Sequence, residues 1–454
     1  MIRDHDTIAA PATAAGGALA VIRISGEEAL RICDRIFRGR KPLTAAAGYT
    51  VHYGEIVDDG RVLDDVLVTV FRAPRSYTGE DAAEISCHGS QYIVSEILRL
   101  LTASGARMAG PGEFTIRAYL AGKLDLSQAE AVADIIASSS RAAHALAANQ
   151  MRGGYSDALE GLCEKLLELT ALLELELDFS EEEVEFADRA QLREAMQRIG
   201  AHIDALRNSF TLGNAIKEGV AVAITGAPNV GKSTLLNRLL NEERVLVSDI
   251  AGTTRDVIEE RINIDGVVFR FLDTAGIRDG GDAVETMGVE RSRAAAKQAS
   301  LALLVLDGSR ELTAEDEAAI ALANTVPHLI VAVNKSDLPR ALDVGALADR
   351  FDNVLSVSAV TGAGLDTLTD AIAAQFPSGE TAGGALLTNA RQADAANRAL
   401  SAVAEARGAL RIGMTPDVVL TDCEAALAAL GELNGKQVRD DLVDTIFSRF
   451  CVGK

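Results

Sequence analysis

The residues with the clearest chemical purpose read GAPNVGKS over positions 226–233, directly after an apolar run and before a helix-like stretch. Glycines at this spacing let successive backbone N–H groups converge on phosphate oxygens, and the helix that follows adds a positive field at its N-terminus. Asn229, Val230, Gly231, Lys232, Ser233 and Thr234 are the expected phosphate contacts; Lys232 reaches the β- and γ-phosphates, and the Ser233 hydroxyl ligates Mg²⁺. DTAG follows at 273–276. There Asp273 reaches Mg²⁺ through water, and the Gly276 N–H, flanked by Thr274 and Ala275, senses the γ-phosphate. NKSD at 334–337 supplies Asn334, Lys335 and Asp337. The Asp337 carboxylate accepts from guanine N1–H and from its exocyclic amine, a donor pair adenine lacks, so the motif favours GTP over ATP. Ser358 and Ala359, after a later apolar run, present backbone N–H groups to the guanine carbonyl. Motifs in this order describe a GTP-binding domain.

Between the first two motifs runs SDIAGTTRD at 248–256, a switch loop whose Ser248, Asp249, Ile250, Ala251, Gly252, Thr253 and Thr254 surround the nucleotide. Thr254 is the expected completion of the Mg²⁺ shell. Small regulatory GTPases orient the attacking water with a glutamine just after DTAG. Here that position is Ile277, which has no polar atom, so hydrolysis must recruit another group. Glu285, in the polar segment 279–290, is a candidate water-orienting acid; Arg255 is a weaker candidate for an arginine finger.

These motifs need a parallel α/β scaffold, and the chain has one from Gly219 onward. The runs Val220–Thr225, Val267–Leu272, Leu301–Asp307, Leu329–Asn334 and Val354–Val357 read as strands alternating with helical stretches. Before them, 126–151, 159–177 and 191–212 are Ala- and Leu-rich with helical periodicity, and helices resume after about residue 378. The front of the chain, to about Leu120, mixes β-rich runs (18–24, 62–71) with a helical one (93–101). The expected domains are 1–120, 121–217, 218–377 and 378–454, the third inserted between two halves of one helical domain.

The remaining composition sets limits. With 454 residues, 48% hydrophobic and 24% charged, the chain is ordinary globular material with room for several cores. Its net charge of -22 disfavours a protein that coats nucleic acid, without excluding a nucleic-acid substrate brought by a partner. Five scattered cysteines without a CxxC pair indicate neither a zinc ribbon nor a disulfide scaffold. No signal peptide or membrane-length apolar run is present, so a cytoplasmic protein without stable membrane insertion is expected. The acidic stretch 174–188 reads as a solvated edge.

Further motifs carry a resemblance over essentially the full length. They are DTIAA near the start, VIRISG at 21–26, SYTGED at 76–81, PGEFTIR at 111–117, GKLDLSQAEAVADII at 122–136 and the tail FCVGK at 450–454. With GAPNVGKS, DIAGTTRD, DTAGIR and NKSD, they make the chain similar to the tRNA-modification GTPase MnmE (TrmE) family. The resemblance implies a multidomain α/β and all-α molecule: a P-loop GTPase α/β domain inserted into a helical domain, preceded by an α+β folate-binding and dimerising domain. It implies a homodimer that joins an FAD-carrying MnmG (GidA)-like protein in a heterotetramer. That complex installs an aminomethyl or carboxymethylaminomethyl group at C5 of the wobble uridine of certain tRNAs. The one-carbon unit comes from a tetrahydrofolate derivative, in the 5,10-methylene or 5-formyl form.

The same resemblance implies GTPase domains activated by K⁺-dependent dimerisation, with K⁺ held by Asn229, Ser248, Ile250 and Thr253. Glu285, twelve residues beyond Asp273, matches the family's catalytic glutamate. Arg23, Glu80, Lys123 and Lys454 match its folate-binding residues, and Cys451 its tail cysteine with a role in the modification chemistry. Two other readings fit less well. A ribosome-assembly GTPase would bring a basic RNA-binding appendage, and a non-catalytic scaffold would not need the complete motif set.

Overall fold

A computed structural model describes residues 6–14, 16–178, 189–242, 260–272, 293–376, 386–435, 446–447, 450 and 453. The chain divides into two compact units, residues 1–133 with 430–454, and residues 134–429.

Unit 1 is built on a seven-stranded sheet: β1 (Ile8–Pro11), β2 (Leu19–Ser25), β3 (Phe37–Gly39), β4 (Thr50–Asp58), β5 (Arg61–Phe71), β6 (Ala82–His88) and β7 (Arg107–Met108). Their spatial order is β3-β4-β5-β6-β2-β1-β7, antiparallel except for the parallel β1–β7 pair. Strict alternation decides which face is which. Ile22 and Ile24, Val66, Val68 and Val70, and Ile85 point into one core together with the helices Ala29–Ile36 and Gln91–Ala103. The other face carries Arg23 opposite Glu84, and the exposed Leu19, Val51, Tyr53 and Leu67. A second, small core gathers Ile116, Leu126, Ala129 and Phe447, so residues near the end of the chain complete this unit.

Unit 2 holds a six-stranded sheet: β8 (Val220–Thr225), β9 (Glu260–Ile264), β10 (Val267–Phe271), β11 (Leu301–Asp307), β12 (His328–Asn334) and β13 (Val354–Ser356). The order is β13-β12-β11-β8-β10-β9, parallel apart from the β9–β10 hairpin. β8 and β11 are buried at every position, as strands covered on both faces must be. Because connections leave β8 in both directions, the crevice beyond its carboxyl end is a topological switch point, where such sheets bind ligands.

Helices flank this sheet in sequence. Arg189–Glu218 runs into β8 through Gly219 and packs along Ala390–Ile412, beyond the sheet. Buried Gly200 faces Val403 across that contact. The α/β sheet is therefore inserted between helices that belong together. Leu126–Ala137 and Arg141–Met151 are two helices, not the continuous one the Ala-rich pattern suggests. The break is the Ser138–Ser140 run, whose last hydroxyl accepts from the Ala143 N–H and caps the second helix. Among the described residues no helix is long and apolar enough to cross a membrane.

Candidate functional site

The loop after β8 is shaped by positive-φ positions. Gly226 sits at φ +146, where an added Cβ would come within 2.3 Å of Val305 O, and Asn229 and Gly231 follow at +62 and +99. The chain then enters the helix Lys232–Glu242, held down by buried Leu235, Leu236 and Leu239. The Lys232 Nζ donates to Gly226 O and Ala227 O, both at 2.7 Å, so the ammonium lies over the loop it serves. Burial pushes its pKa below the ordinary lysine value, with Asp316 opposing. An arriving phosphate replaces weak carbonyl partners with a full negative charge in this low-dielectric seat.

The base side is tied to the phosphate side through one residue. Asn334, buried at the end of β12, donates from Nδ2 to Val230 O at 2.8 Å and accepts at Oδ1 from the Ala359 N–H at 2.9 Å. Three segments distant in sequence are thus locked together. Asp337 accepts from the Ser358 hydroxyl at 2.5 Å, and the Ser336 N–H donates to Val357 O at 3.1 Å, so the base-reading carboxylate is oriented before any ligand arrives. Lys335, at φ +62, pairs with Asp307 at 2.6 Å. Burial alone would raise the Asp307 pKa, but Lys335 and Ser309 outweigh it and hold the carboxyl below its usual range. Asp307 was not singled out from sequence; its signal is a charge closing the apolar run LALLVLD.

Unit 1 contains a cavity of about 120 Å³ lined by Arg23, Ser25, Phe71, Tyr77, Thr78, Ala82 and Glu84. The Arg23 guanidinium lies 5.4 Å from the Tyr77 ring and 5.6 Å from the Phe114 ring, and pairs with Glu84 at 2.7 Å. Its Nη1 also reaches Gly453 O at 3.5 Å. Glu80 accepts from Ser25 Oγ at 2.7 Å and from Arg117 Nη1 at 3.0 Å. Lys123 Nζ donates to Pro74 O at 2.5 Å, and its Cε would lie 3.5 Å from a Cβ placed on Gly79, beside Glu80. Ser25, which lines the cavity with Arg23, thus joins it to Glu80, and Lys123 adjoins the Glu80 segment. Sequence reading missed Ser25, Tyr77, Glu84 and Arg117.

Ser248, Asp249, Ile250, Ala251, Gly252, Thr253, Thr254, Asp273, Thr274, Ala275, Gly276, Glu285, Cys451 and Lys454 lie outside the described residues. What is described already defines a class: a strand–loop–helix phosphate cradle joined through an amide side chain to a preset carboxylate is the site of a guanine-nucleotide-hydrolysing P-loop protein.

Comparison with known proteins narrows that class. A family model described as the MnmE helical domain matches residues 126–451, and one described as the GTP-binding protein TrmE N-terminus matches residues 7–123. Relatives named tRNA modification GTPase MnmE align along the whole chain. The Cytophaga hutchinsonii protein is 47% identical, covering 99% of this chain and 98% of its own. That of Flavobacterium johnsoniae is 45% identical, covering 99% and 100%, and that of Listeria welshimeri is 43% identical with the same coverage. A solved structure of Era in complex with MgGDPNP and a segment of 16S ribosomal RNA is 30% identical over 40% of this chain and 65% of that one, at a TM-score of 0.27. The chain belongs to the tRNA modification GTPase MnmE family. It is a GTPase of tRNA modification, with an α+β front domain, a helical domain and an inserted P-loop α/β domain.

Proposed function

We propose that this chain is the nucleotide-driven half of a tRNA wobble-uridine modification enzyme, working with an FAD-carrying MnmG-like partner. Together they add the aminomethyl or carboxymethylaminomethyl group at C5. The observation that carries the reading is the presence in one chain of two sites of different chemistry, the guanine-nucleotide cradle and the Arg23 cavity, to whose lining Ser25 the Glu80 carboxylate is bonded. The cavity suits a pterin. Tyr77 offers an aromatic wall, and Arg23 with Lys123 and Lys454 cations for a glutamate tail, while Glu80, bonded to the lining Ser25, is the acceptor for an amidine edge. A tetrahydrofolate derivative held there supplies the one-carbon unit. The residues of this chain bind and orient it, and Cys451 on the tail takes part in the modification chemistry.

In the nucleotide site, the loop amides and Lys232 bind the β- and γ-phosphates, and Asp337 selects guanine. Ser233 and Thr254 ligate Mg²⁺, with Asp273 acting through water. The Asn229 side chain, with Ser248, Ile250 and Thr253, holds K⁺ when two GTPase domains meet across their nucleotides, and Glu285 orients the attacking water. The exposed apolar set Leu19, Val51, Tyr53 and Leu67 on the front sheet supports a homodimer, since such patches mark interaction surfaces. The domain plan 1–120, 121–217, 218–377 and 378–454 serves this arrangement in the cytoplasm. With a net charge of -22, the chain leaves the main tRNA-gripping surface to its partner.

Nucleoside analysis of tRNA from cells lacking the protein tests the reading. The modified wobble uridine is expected to disappear, to return with the wild-type gene, and not to return with Glu285→Ala or Cys451→Ser. Intact modification in the deletion strain sinks the assignment, and equal GTP hydrolysis in Na⁺ and K⁺ sinks the cation-dependent dimer.

A further inference from the structure

Behind Glu80 lies a chain of charges that the nucleotide chemistry does not use. Arg107 donates to Asp6 Oδ2 at 2.5 Å and to both Glu113 oxygens, at 2.5 and 2.8 Å. Arg117 then donates from Nη2 to Asp6 Oδ1 at 2.6 Å and to Glu113 Oε1 at 3.3 Å. Its Nη1 donates to Asp6 O at 2.8 Å and to Glu80 Oε1 at 3.0 Å and Oε2 at 3.3 Å. The Arg117 side chain is 6% exposed and that of Glu80 is 31% exposed, so the carboxylate is backed on one side and open on the other. Ser25, itself bonded to Thr78 at 2.7 Å, fixes the second oxygen at 2.7 Å.

The charge balance of this cluster is informative. Arg107 and Arg117 are matched by Asp6 and Glu113, which leaves Glu80 as the surplus negative charge. Burial would raise the pKa values of Asp6 and Glu113, but the two guanidiniums, joined at Glu113 by the Gly110 N–H, outweigh it and lower both, so the inner pairs are committed to each other. A guanidinium fork with one prong fixed on Asp6 can hold Glu80 in a single orientation without satisfying all of its lone pairs.

We propose that Arg117 is a positioning residue for ligand recognition in unit 1: it presents the Glu80 carboxylate, edge outward, to a planar ligand carrying two adjacent N–H donors. The proposal rests on the folate reading of this cavity. Arg117 acts through Glu80, and the Arg107–Asp6–Glu113 set acts through Arg117.

The test is a double-mutant cycle on the full chain, reading the Kd for 5-formyltetrahydrofolate by titration calorimetry, with GDP affinity and thermal midpoint measured alongside. Glu80→Gln is expected to raise the folate Kd by about 30-fold or more, as losing a charged bidentate acceptor does. Arg117→Lys, which keeps the charge but loses the fork, is expected to raise it roughly 10-fold with GDP affinity unchanged. In the Glu80→Gln background, Arg117→Lys should add less than about a factor of two. Should Arg117→Lys fail to fold, Asp6→Asn removes the charge that holds the Nη2 prong, leaving Glu113 as its charged acceptor, and should weaken folate about 3-fold, again only when Glu80 is present. A folate Kd unchanged in Arg117→Lys, or lowered affinity of equal size in both backgrounds, overturns the positioning role and leaves the folate reading intact. Wild-type binding by Glu80→Gln overturns the folate reading of Glu80, and this proposal with it.

Discussion

Asn334 is the most economical place to break the nucleotide site. Asn334→Ala removes the donor to Val230 O and the acceptor for the Ala359 N–H, and both groups are buried once it is gone. Each unsatisfied buried partner costs about 1–3 kcal/mol, so the pair costs about 2–6 kcal/mol at most. Part of that appears as lost global stability. The rest appears on binding, because phosphate loop and base loop must then be ordered by the ligand itself. If about 2 kcal/mol falls on binding, the Kd for GDP rises roughly 30-fold. Stopped-flow fluorescence with a labelled GDP, alongside thermal unfolding without nucleotide, separates the two shares. Gly231→Ala attacks the same contact from the other side, since its Cβ would lie 2.3 Å from Asn334 Nδ2 at a backbone φ of +99. Destabilised Asn334→Ala protein that still binds GDP within threefold of wild type would falsify the coupling of the two loops through this side chain.

Other outcomes follow from single features. Asp316, nearly fully buried, accepts from Arg310 at 2.6 Å and closes a capping box with Thr313. Burial would raise its pKa, but these donors outweigh it and lower it. A depressed folded pKa adds stability above the ordinary carboxylate range and loses it as pH falls through the folded value. Asp316→Asn should therefore lower the thermal midpoint at pH 7 by several degrees and flatten its decline below about pH 4; an unchanged slope refutes this. Burial pushes the Cys33 and Cys423 thiols up to about 12 and Cys87 to about 11. At pH 8 the half-buried Cys163 should alkylate first among these four, and peptide mapping that finds Cys33 modified equally fast contradicts their sealed state. Gly453→Ala would place a Cβ 2.1 Å from Pro11 O at φ +99, so it should weaken folate binding at least severalfold and leave GDP affinity untouched.

Much of the scaffold was legible because burial on both faces writes a continuous apolar run. Val220–Thr225 and Leu301–Asp307 can be read to the residue, and Leu329–Asn334 begins one residue late, because His328 is polar yet pairs with Leu301. β9 escaped notice because ERINI opens on charges, although the Asp265–Gly266 pair after it, with φ of 49 and 79, is a hairpin signal. Lys232 in the phosphate loop, and Asn334 and Asp337 in the base loop, were legible because phosphate and base chemistry fix the residue types and spacing within each of these short motifs. Arg117 and Asp307 were not, since each acts on a residue 37 or 28 positions away that only folding brings near.

The seat of Gly453 against Pro11 has a consequence for biosynthesis. Between the two stretches that build unit 1, the ribosome must make the whole of residues 134–429, roughly 15–60 s of work at about 5–20 residues per second. During that interval the seven strands of the first sheet, all made by residue 108, stand without the tail, while the residues of the nucleotide cradle are being made. A chain stopped before residue 446 keeps Lys232, Asn334 and Asp337 but lacks Phe447 and Gly453 from its front unit. Arg23 Nη1 can therefore reach Gly453 O only after every residue of the nucleotide cradle has been made.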